Sequence, residues 1–482
     1  MAPRPSLTDL ARWGQVTAVA VVAGLVLLAV GGHLDRLTLD TPAIVWPLVL
    51  GTVVLVPVAL ARRSAIWWLR TLPLIASSAA VVVGSIAWYV RASGTITDAY
   101  PPSFLLWFAM AIVTVAGVVV GWRRAGPGQR LAGLLAAPVA VATAFVLINA
   151  HYGYWPTLGD LLGHPLTGQI SADTLHREMS QPLRPRPAPD DAHAGRNGDA
   201  RGDARGESAL SPVGRRVPPG QFVMVPIPGT MSGFHARDAG VYLPPAYFTT
   251  ARPELPVLVF LAGTPSNTNT LAVAGGALAT ANRFAATHDG LAPIMIFPDE
   301  NGSLTGDTEC VNGPRGQAET YLTVDVRDWV TQYLHATSDP RRWALVGFSE
   351  GGTCALDLSL RHAGEFPTFV DLAGDSMPNL AHDTLGALYG GDGPLDLHHQ
   401  PLWIMTHYRY PGTVGWFGAG HHDPFHLEIA KAQARLGAEA GMQTTWFEGP
   451  YGHDFKFCTY AIRLLFPQLF AHLDLGGSAA AI

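Results

Sequence analysis

The sequence predicts a protein in two parts, an N-terminal all-α transmembrane bundle of about five helices and a following α/β domain with a mostly parallel central sheet. Five apolar runs, each close to the ~20 residues that cross a bilayer, predict the bundle. Short apolar runs that alternate with turns and helical stretches predict the α/β domain. The chain has 482 residues, of which only 14% are charged, and this composition is compatible with both parts.

The five apolar runs contain no ionisable residue. They lie at Val16 to Gly31, Ala43 to Leu60, Leu72 to Val90, Phe104 to Gly121 and Leu131 to Ala150. Ionisable groups at mid-membrane mark transport pathways, so this composition favours an anchor over a transporter or channel. The first run is the shortest and is similar to a signal peptide, but four further runs and no evident cleavage site favour its retention.

The arginines predict the orientation of the bundle. Loops that are rich in arginine alternate with loops that hold one, and the rich segments contain Arg4 and Arg12, then Arg62, Arg63 and Arg70, then Arg123, Arg124 and Arg130. Because cytoplasmic loops carry the excess of positive charge, the N-terminus is predicted to be cytoplasmic. Five spans then place everything after Ala150 outside the cytoplasm.

Composition also predicts the domain boundaries. Residues 1–150 form the transmembrane domain, and residues 151–220 form an extracytoplasmic linker that is largely disordered from about residue 168, where Pro, Arg, Asp, Gly and Ser dominate. The α/β domain covers residues 221–475. The linker charges are of mixed sign and the net charge is -6, so no nucleic-acid partner is expected.

Apolar runs and helical spacing predict the elements of the α/β domain. The predicted strands are Phe222 to Pro226, Ala239 to Leu243, Pro256 to Leu261, Pro293 to Phe297, Trp343 to Val346, Thr368 to Leu372 and Leu402 to Thr406. The predicted helices are Ala318 to Leu334, Thr353 to Leu360 and Phe425 to Ala440.

Ser349 lies between glycines, in Val346-Gly347-Phe348-Ser349-Glu350-Gly351-Gly352, at the end of a predicted strand and before a predicted helix. A serine in this context stands on a sharp turn with its hydroxyl exposed. A serine hydroxyl needs a neighbouring imidazole to take its proton. His453 fits that need, because it follows a late apolar run and a Gly-rich loop and precedes a final helix.

An acidic residue that orients the imidazole should lie between the serine and the histidine in chain order. Asp423 fits best, after the predicted Leu402 to Thr406 strand and before a helical run. An aspartate before a proline is also a common helix cap. Asp375, after the preceding predicted strand, is the runner-up, and Asp396 and Glu428 are weaker alternatives.

Acyl transfer also needs two backbone N–H groups that bind the developing oxyanion. Glu350, directly after the serine, is predicted to supply one. Thr264 is predicted to supply the other, with Gly263 as the alternative, in the loop after the Pro256 to Leu261 strand. No metal or other cofactor is expected, because the pairs His398-His399 and His421-His422 lack a ligand set and are expected on surface loops.

Three cysteines lie in the part that is predicted to be extracytoplasmic, where a disulfide can persist. Cys310 and Cys458 could join a loop to the final helix. Cys354 is expected to pack in the core as a small apolar group.

Several segments resemble the esterase-D and mycolyltransferase-type branch of the α/β-hydrolases. They are Val241-Tyr242-Leu243-Pro244-Pro245-Ala246-Tyr247, Phe260-Leu261-Ala262-Gly263-Thr264, Tyr321-Leu322-Thr323-Val324-Asp325-Val326, Gly347-Phe348-Ser349-Glu350-Gly351-Gly352 and Gly449-Pro450-Tyr451-Gly452-His453. The resemblance covers about Gln221 to Phe470. It implies an α/β-hydrolase domain that acts on carboxylic esters, often of sugars or lipids, without a metal. The family more often has Met or Gln where this chain has Glu350.

The expected protein is therefore a membrane-anchored extracytoplasmic serine esterase with Ser349, His453 and Asp423 as its catalytic residues. Its expected partners are the lipid bilayer and an acyl ester of a cell-envelope lipid or glycan. Two alternatives remain, namely an acyltransferase that moves the acyl group to a sugar hydroxyl, and a catalytically silent membrane-anchored binding or scaffold protein.

Overall fold

The computed structural model describes residues 34–93, 101–162, 168–169, 217–249, 252–380 and 382–475. The chain divides into two compact units, Met1–Leu166 and Thr167–Ile482. The predicted first span at Val16 to Gly31 lies outside the described residues, as does almost all of the segment that is predicted to be disordered.

The first unit contains four long helices, which correspond to the second to fifth predicted spans. They are α1 Pro42–Leu60, α2 Leu72–Ser93, α3 Pro102–Gly121 and α4 Pro127–Tyr152, followed by the short helix α5 Leu158–Leu161. A proline begins α1, α3 and α4, where its fixed φ suits the first turn and its missing N–H is not needed. Within the described residues, these four helices are long and apolar enough to cross a membrane.

Small residues lie where the long helices pack against each other. Gly133 of α4 lies so close to Val118 of α3 that an added Cβ would approach it to 2.9 Å. The hydroxyls of Thr52 in α1 and Thr143 in α4 are hydrogen-bonded at 2.8 Å. Close backbone approach and hydroxyl pairs of this kind are typical of helices that associate in lipid.

The second unit is built on a nine-stranded sheet in the described part of the chain, in the order β1-β2-β3-β5-β4-β8-β9-β10-β11, with a separate ribbon of β6 and β7. The strands are β1 Gly168–Gln169, β2 Gln221–Val225, β3 Ala239–Leu243, β4 Val257–Leu261, β5 Ile294–Phe297, β6 Asn312–Gly313, β7 Gly316–Gln317, β8 Trp343–Phe348, β9 Thr368–Leu372, β10 Val414–Gly420 and β11 Gln443–Gly449. Only β3 in the large sheet runs antiparallel to its neighbours. The prediction of a mostly parallel central sheet is confirmed.

Helices cover the sheet and follow most of its parallel strands. They are α6 Thr270–Val273, α7 Ala277–Thr287, α8 Ala318–Thr320, α9 Val326–Leu334, α10 Glu350–Arg361, α11 Thr384–Tyr389, α12 Gly393–Leu397, α13 Pro401–His407, α14 Pro424–Glu439 and α15 Phe455–His472. The strands at the centre, β4 and β8, are fully buried apolar runs paired in parallel. Because the parallel strands all point the same way, the loops after them lie at one edge of the sheet.

The predicted strand at Leu402 to Thr406 is wrong, since these residues lie in helix α13. Pro401 occupies the first turn, and the buried side chains, Ile404 and Met405, lie on one face while Leu402 is exposed. The strand that leads to Asp423 is β10, Val414–Gly420. Glycines make this strand inconspicuous in the sequence, because glycine has a low preference for strands.

The pairing of Cys310 with Cys458, which the sequence left open, is not the one that forms. A disulfide joins Cys310 to Cys354, and Cys458 is a free, fully buried thiol. Cys354 is in the core as expected, but it faces the loop after β5 rather than apolar groups alone. The disulfide thereby connects that loop to α10.

Candidate active site

Ser349 lies on a sharp turn between β8 and α10. Its φ is 59° and its ψ is −129°, a backbone conformation that a residue with a side chain rarely adopts. The Ser349 N–H donates to the Leu372 carbonyl at 2.9 Å, which fixes the turn against β9. The strand, serine and helix thus have the arrangement of a nucleophile elbow.

The glycines beside Ser349 are required by close backbone contacts. A Cβ at Gly347 would collide with the Gly351 carbonyl, and a Cβ at Gly351 would collide with the Leu261 carbonyl. No rotation of a side chain relieves a clash with backbone. The Gly-x-Ser-x-Gly spacing therefore follows from tight packing within the elbow, for Gly347, and against β4, for Gly351.

The structure brings Ser349, His453 and Asp423 together in one chain of hydrogen bonds. His453 Nε2 lies 2.9 Å from Ser349 Oγ, and His453 Nδ1 lies 2.9 Å from Asp423 Oδ2. β11 and the loop after it carry His453, while the turn between β10 and α14 carries Asp423. An imidazole in this position can take a proton from the serine while the carboxylate stabilises the resulting charge.

Asp423 is held as a carboxylate. Burial favours its neutral form, but the hydrogen bonds and charges of His426 and His453 outweigh burial and keep the pKa of Asp423 well below its usual range. Asp423 also caps α14, because its Oδ1 accepts the His426 N–H at 3.4 Å. The helix-cap role and the role beside His453 therefore coexist in one residue.

The three alternatives for the acid lie elsewhere in the described structure. Asp375 Oδ1 lies 3.5 Å from Nε2 of His426, and it is His426 that lies beside His453. Asp396 accepts from the Gln400 side chain at 2.9 Å in α12. Glu428 is exposed on α14 and pairs with a lysine. Asp423 is thus the carboxylate that the fold places against His453 Nδ1.

The ring of Phe348 and a second histidine, His426, lie beside His453. Its ring lies 4.9 Å from that of Phe348 and 4.4 Å from that of His426, measured between ring centroids. The sequence prediction missed His426. The sequence could have predicted this contact, because a residue three positions after the helix cap Asp423 lies on the same face of the first turn.

The loop after β4 lies against the elbow. Gly263 has a φ of 84°, and an added Cβ there would lie 2.8 Å from the Phe348 carbonyl and 3.3 Å from the Glu350 nitrogen. The N–H groups of Ala262 and Gly263 both donate to Glu300 Oε1, at 2.9 and 3.0 Å. Gly263, the alternative oxyanion donor, is therefore already engaged by Glu300.

The two predicted oxyanion donors remain available. Among the described residues, neither the Thr264 N–H nor the Glu350 N–H meets a hydrogen-bond acceptor. Glu350 occupies the first position of α10, where the N–H has no partner within the helix. Thr264 is fixed by its side chain, whose hydroxyl donates to the Gly306 carbonyl at 2.6 Å and accepts from Asn301 at 2.9 Å.

Buried acids lie beneath this loop. Glu350 accepts from the Asn301 amide at 3.1 Å. Burial, with the charges of Asp307 and Glu300 nearby, raises the pKa of Glu350 well above its usual range. Burial also raises the pKa of Glu300 to about 7. The sequence prediction missed Glu300 and Asn301, although two polar residues just after a buried strand are a readable sign of a site at the sheet edge.

Asp423, His426 and His453 are described residues that could together hold a metal ion, since one ligand atom of each lies within 4.8 Å of the others. Asp423 Oδ2 is hydrogen-bonded to Nδ1 of both histidines, at 2.8 and 2.9 Å, so an ion would displace the protons in those bonds. The expectation of no metal stays a prediction. For His399 the expected surface position is wrong, because it is fully buried and its Nδ1 lies 2.6 Å from Asp357.

The parallel sheet, the elbow serine and the hydrogen-bonded histidine define an α/β-hydrolase of the serine type. Residues 235–405 match the family described as "Putative esterase". This match contains Ser349 and ends before Asp423. An uncharacterized protein of Corynebacterium glutamicum is 31% identical over 412 residues, which cover 82% of this chain and 88% of that protein. The chain belongs to this family of esterases and is a serine hydrolase.

Two solved structures are similar to part of this chain. A ferulic acid esterase is 16% identical, with a TM-score of 0.47 over 53% of this chain and 99% of that chain. An S-formylglutathione hydrolase from Agrobacterium tumefaciens is 18% identical, with a TM-score of 0.44 over 53% of this chain and 96% of that chain. The match to the Corynebacterium protein covers 82% of this chain and must therefore continue into the first unit.

Proposed function

We propose that the protein is a membrane-anchored extracytoplasmic esterase that hydrolyses a carboxylic ester of a cell-envelope lipid or glycan through an acyl-enzyme. The observation that carries this proposal is the continuous hydrogen-bond chain from Ser349 through His453 to Asp423. A binding or scaffold protein has no need of a serine held in a rare backbone conformation with its hydroxyl against an imidazole.

In the proposed reaction, Ser349 Oγ attacks the ester carbonyl while His453 Nε2 takes the hydroxyl proton. The N–H groups of Glu350 and Thr264 bind the oxyanion of the tetrahedral intermediate. His453 then gives its proton to the departing alcohol, and an acyl group remains on Ser349. Water then attacks this acyl-enzyme while His453 takes the water proton. The bond from the acyl group to Ser349 Oγ breaks, the carboxylic acid leaves, and His453 returns the proton to Ser349 Oγ. Asp423 stabilises the imidazolium in both halves.

Three observations support the proposed location. Four apolar helices in the first unit are compatible with a membrane anchor. The alternation of arginines favours an N-terminus in the cytoplasm and a second unit outside it. The Cys310–Cys354 disulfide suits an oxidising compartment. An enzyme that is held at the outer membrane face acts on esters that remain in the envelope, rather than on diffusing metabolites.

A fluorophosphonate probe tests the nucleophile. We expect the detergent-solubilised full chain to be labelled, the Ser349→Ala variant to be unlabelled, and the control Ser376→Ala, which changes an exposed serine in the loop after β9, to be labelled like wild type. The esterase proposal is overturned when wild type is labelled no better than Ser349→Ala.

The acyl group that is trapped on Ser349 identifies the donor. After exposure to an envelope extract, mass spectrometry of the peptide that contains Ser349 should show a mass increase that fits one acyl chain. Release of that chain as a free acid supports the esterase, whereas its transfer to a sugar hydroxyl supports the alternative acyltransferase. A reporter fused after Tyr152 tests the orientation, and activity of the reporter only in the cytoplasm contradicts it.

A further inference from the structure

His426 lies between two aspartates in the described structure. Its Nδ1 lies 2.9 Å from Asp423 Oδ1 and 2.8 Å from Asp423 Oδ2, and its Nε2 lies 3.5 Å from Asp375 Oδ1. Ionised carboxylates accept hydrogen bonds and cannot donate them. Both ring nitrogens of His426 therefore face carboxylate oxygens, an arrangement that favours the doubly protonated imidazolium.

The surroundings of His426 support this charge. Burial by itself disfavours the imidazolium, but the hydrogen bonds and charges of Asp375 and Asp423 outweigh burial and raise the pKa of His426 to about 10. The same contacts lower the pKa of Asp375 below its usual value, again against burial. His426 is only 6% exposed, so bulk water screens its charge little.

This imidazolium lies directly against the candidate general base. The ring centroids of His426 and His453 are 4.4 Å apart, with an angle of 35° between the planes. Both rings bond the same carboxylate, since Asp423 Oδ2 is 2.8 Å from His426 Nδ1 and 2.9 Å from His453 Nδ1. His453 therefore lies beside the imidazolium that these contacts favour, and both rings share the Asp423 carboxylate.

We propose that His426 is a positioning residue that holds Asp423 against His453 and, through its positive charge, disfavours a second proton on His453. The consequence is that His453 stays able to accept the Ser349 proton at lower pH than it could beside the two aspartates alone. This proposal rests on the proposed function, because it concerns the base of that reaction.

The groups that face His426 come from four segments, and their charges decide the direction of the effect. They are Asp423, which caps the helix that carries His426, Asp375 from the loop after β9, Asp371 from β9 and His453 from the loop after β11. Burial raises the pKa of Asp371 to about 7, so this group adds little negative charge in acidic solution. Without the charge of His426, the negative charges of Asp423 and Asp375 would favour a second proton on His453 more strongly.

Two variants separate this effect from a structural role. His426→Gln keeps a side-chain N–H for Asp423 and removes the positive charge. Asp375→Asn removes a negative charge and leaves His426 bound to Asp423. We expect the acid limb of the kcat/KM profile to move to higher pH by about one unit in His426→Gln and to lower pH in Asp375→Asn, because like charges oppose protonation and opposite charges favour it.

The experiment uses the detergent-solubilised full chain with p-nitrophenyl butyrate between pH 4.5 and 9. At pH values where kcat/KM of both enzymes is falling with acidity, His426→Gln should be about tenfold slower than wild type, since one pH unit corresponds to a tenfold change in the deprotonated fraction. At the plateau pH the two enzymes should be close in kcat/KM. The matched control is His421→Gln, which changes a histidine that is 65% exposed and should leave the profile unchanged.

The outcomes distinguish the two proposals. A wild-type chain that neither hydrolyses the ester nor takes the fluorophosphonate label overturns the proposed function and this inference together. An active wild type whose acid limb coincides with that of His426→Gln, or a variant that loses the same factor at every pH, overturns the inference alone. If His426→Gln does not fold, the pH profile of Asp375→Asn provides the test. An acid limb of Asp375→Asn that stays in place or moves to higher pH overturns the inference.

Discussion

Cys310 and Cys354 form a disulfide that joins the loop after β5 to helix α10, five residues beyond Ser349. Both half-cystines are fully buried. The first residue of α10 is Glu350, whose N–H is one of the two proposed oxyanion donors. The disulfide therefore holds the start of this helix against the loop that carries the buried acids of the site.

Removal of the disulfide should destabilise the second unit. Its two cysteines are 44 residues apart, and a loop of that length corresponds to about 4 kcal/mol in the chain-entropy model. We expect the Cys310→Ala and Cys354→Ala double variant to have a lower apparent unfolding temperature than wild type, and a reductant to lower the wild-type temperature while it leaves the variant unchanged.

Cys458 provides the control for this experiment, because it is equally buried but is not bonded. Cys458→Ala should respond to reductant as wild type does. An unfolding temperature of wild type that reductant does not change would contradict the role of the disulfide.

Glu300 should make the stability of the second unit depend on pH. In the unfolded chain this acid loses its proton near its ordinary value of 4.5, whereas burial raises the pKa of Glu300 in the folded chain to about 7. The folded form thus retains the proton longer, and its stability falls as the pH rises between these values. The contribution amounts to about 3 kcal/mol.

Glu300→Gln tests this dependence, because its amide oxygen can still accept the N–H groups of Ala262 and Gly263. We expect the unfolding temperature of Glu300→Gln, measured relative to that of wild type, to rise between pH 5 and pH 8. Glu428→Gln, which changes a side chain that is 75% exposed, should run parallel to wild type. If the unfolding temperature of Glu300→Gln also changes with pH in parallel with that of wild type, Glu300 is ionised in the folded protein and the prediction is wrong.

The position of Gly263 beside the elbow should make it intolerant of a side chain. Gly263→Ala introduces a Cβ 2.8 Å from the Phe348 carbonyl, at a φ of 84° where L-residues are strained. The loop must shift, and the Thr264 N–H moves with it. Because the loss of one oxyanion donor costs about 10²–10³ in kcat, we expect a loss of that order with little change in KM.

Gly364→Ala is the matched control, since no atom lies within 4 Å of the added Cβ at that position. Its steady-state kinetics with p-nitrophenyl butyrate should equal those of wild type. Full activity of Gly263→Ala would remove Thr264 from the proposed oxyanion site.

The central strands can be predicted from the sequence, whereas β10 cannot. Strands β4 and β8 are continuous runs of large apolar residues, which are typical of buried parallel strands. In β10, Gly415 and Gly418 have no side chain because the rings of Phe369 and Phe447 occupy that space. This packing is a property of the assembled sheet, and a local pattern does not reveal it.

The same distinction holds for the site. The chain order of Ser349, Asp423 and His453 is readable because the elbow motif fixes the first and the late loops follow in sequence. The contact of His426 with Asp375 depends on how α14 packs against β10, which brings it beside the loop after β9, and no spacing predicts it. The disulfide is another such case, since three cysteines permit three pairings that only the fold distinguishes.

Asp423 should contribute to catalysis far more than Asp375, although both carry a carboxylate near the same pair of histidines. Asp423 bonds His453 Nδ1 at 2.9 Å, whereas Asp375 reaches only His426. Asp423→Asn would present an amide to His453 and favour the wrong tautomer, so we expect kcat to fall by about 10³–10⁴-fold with KM almost unchanged. Asp375→Asn should stay within about tenfold of wild type at the plateau pH. Steady-state kinetics at that pH, with fluorophosphonate labelling to count the competent sites, provide the comparison. Equal losses in the two variants would show that the acid of the triad is shared rather than supplied by Asp423.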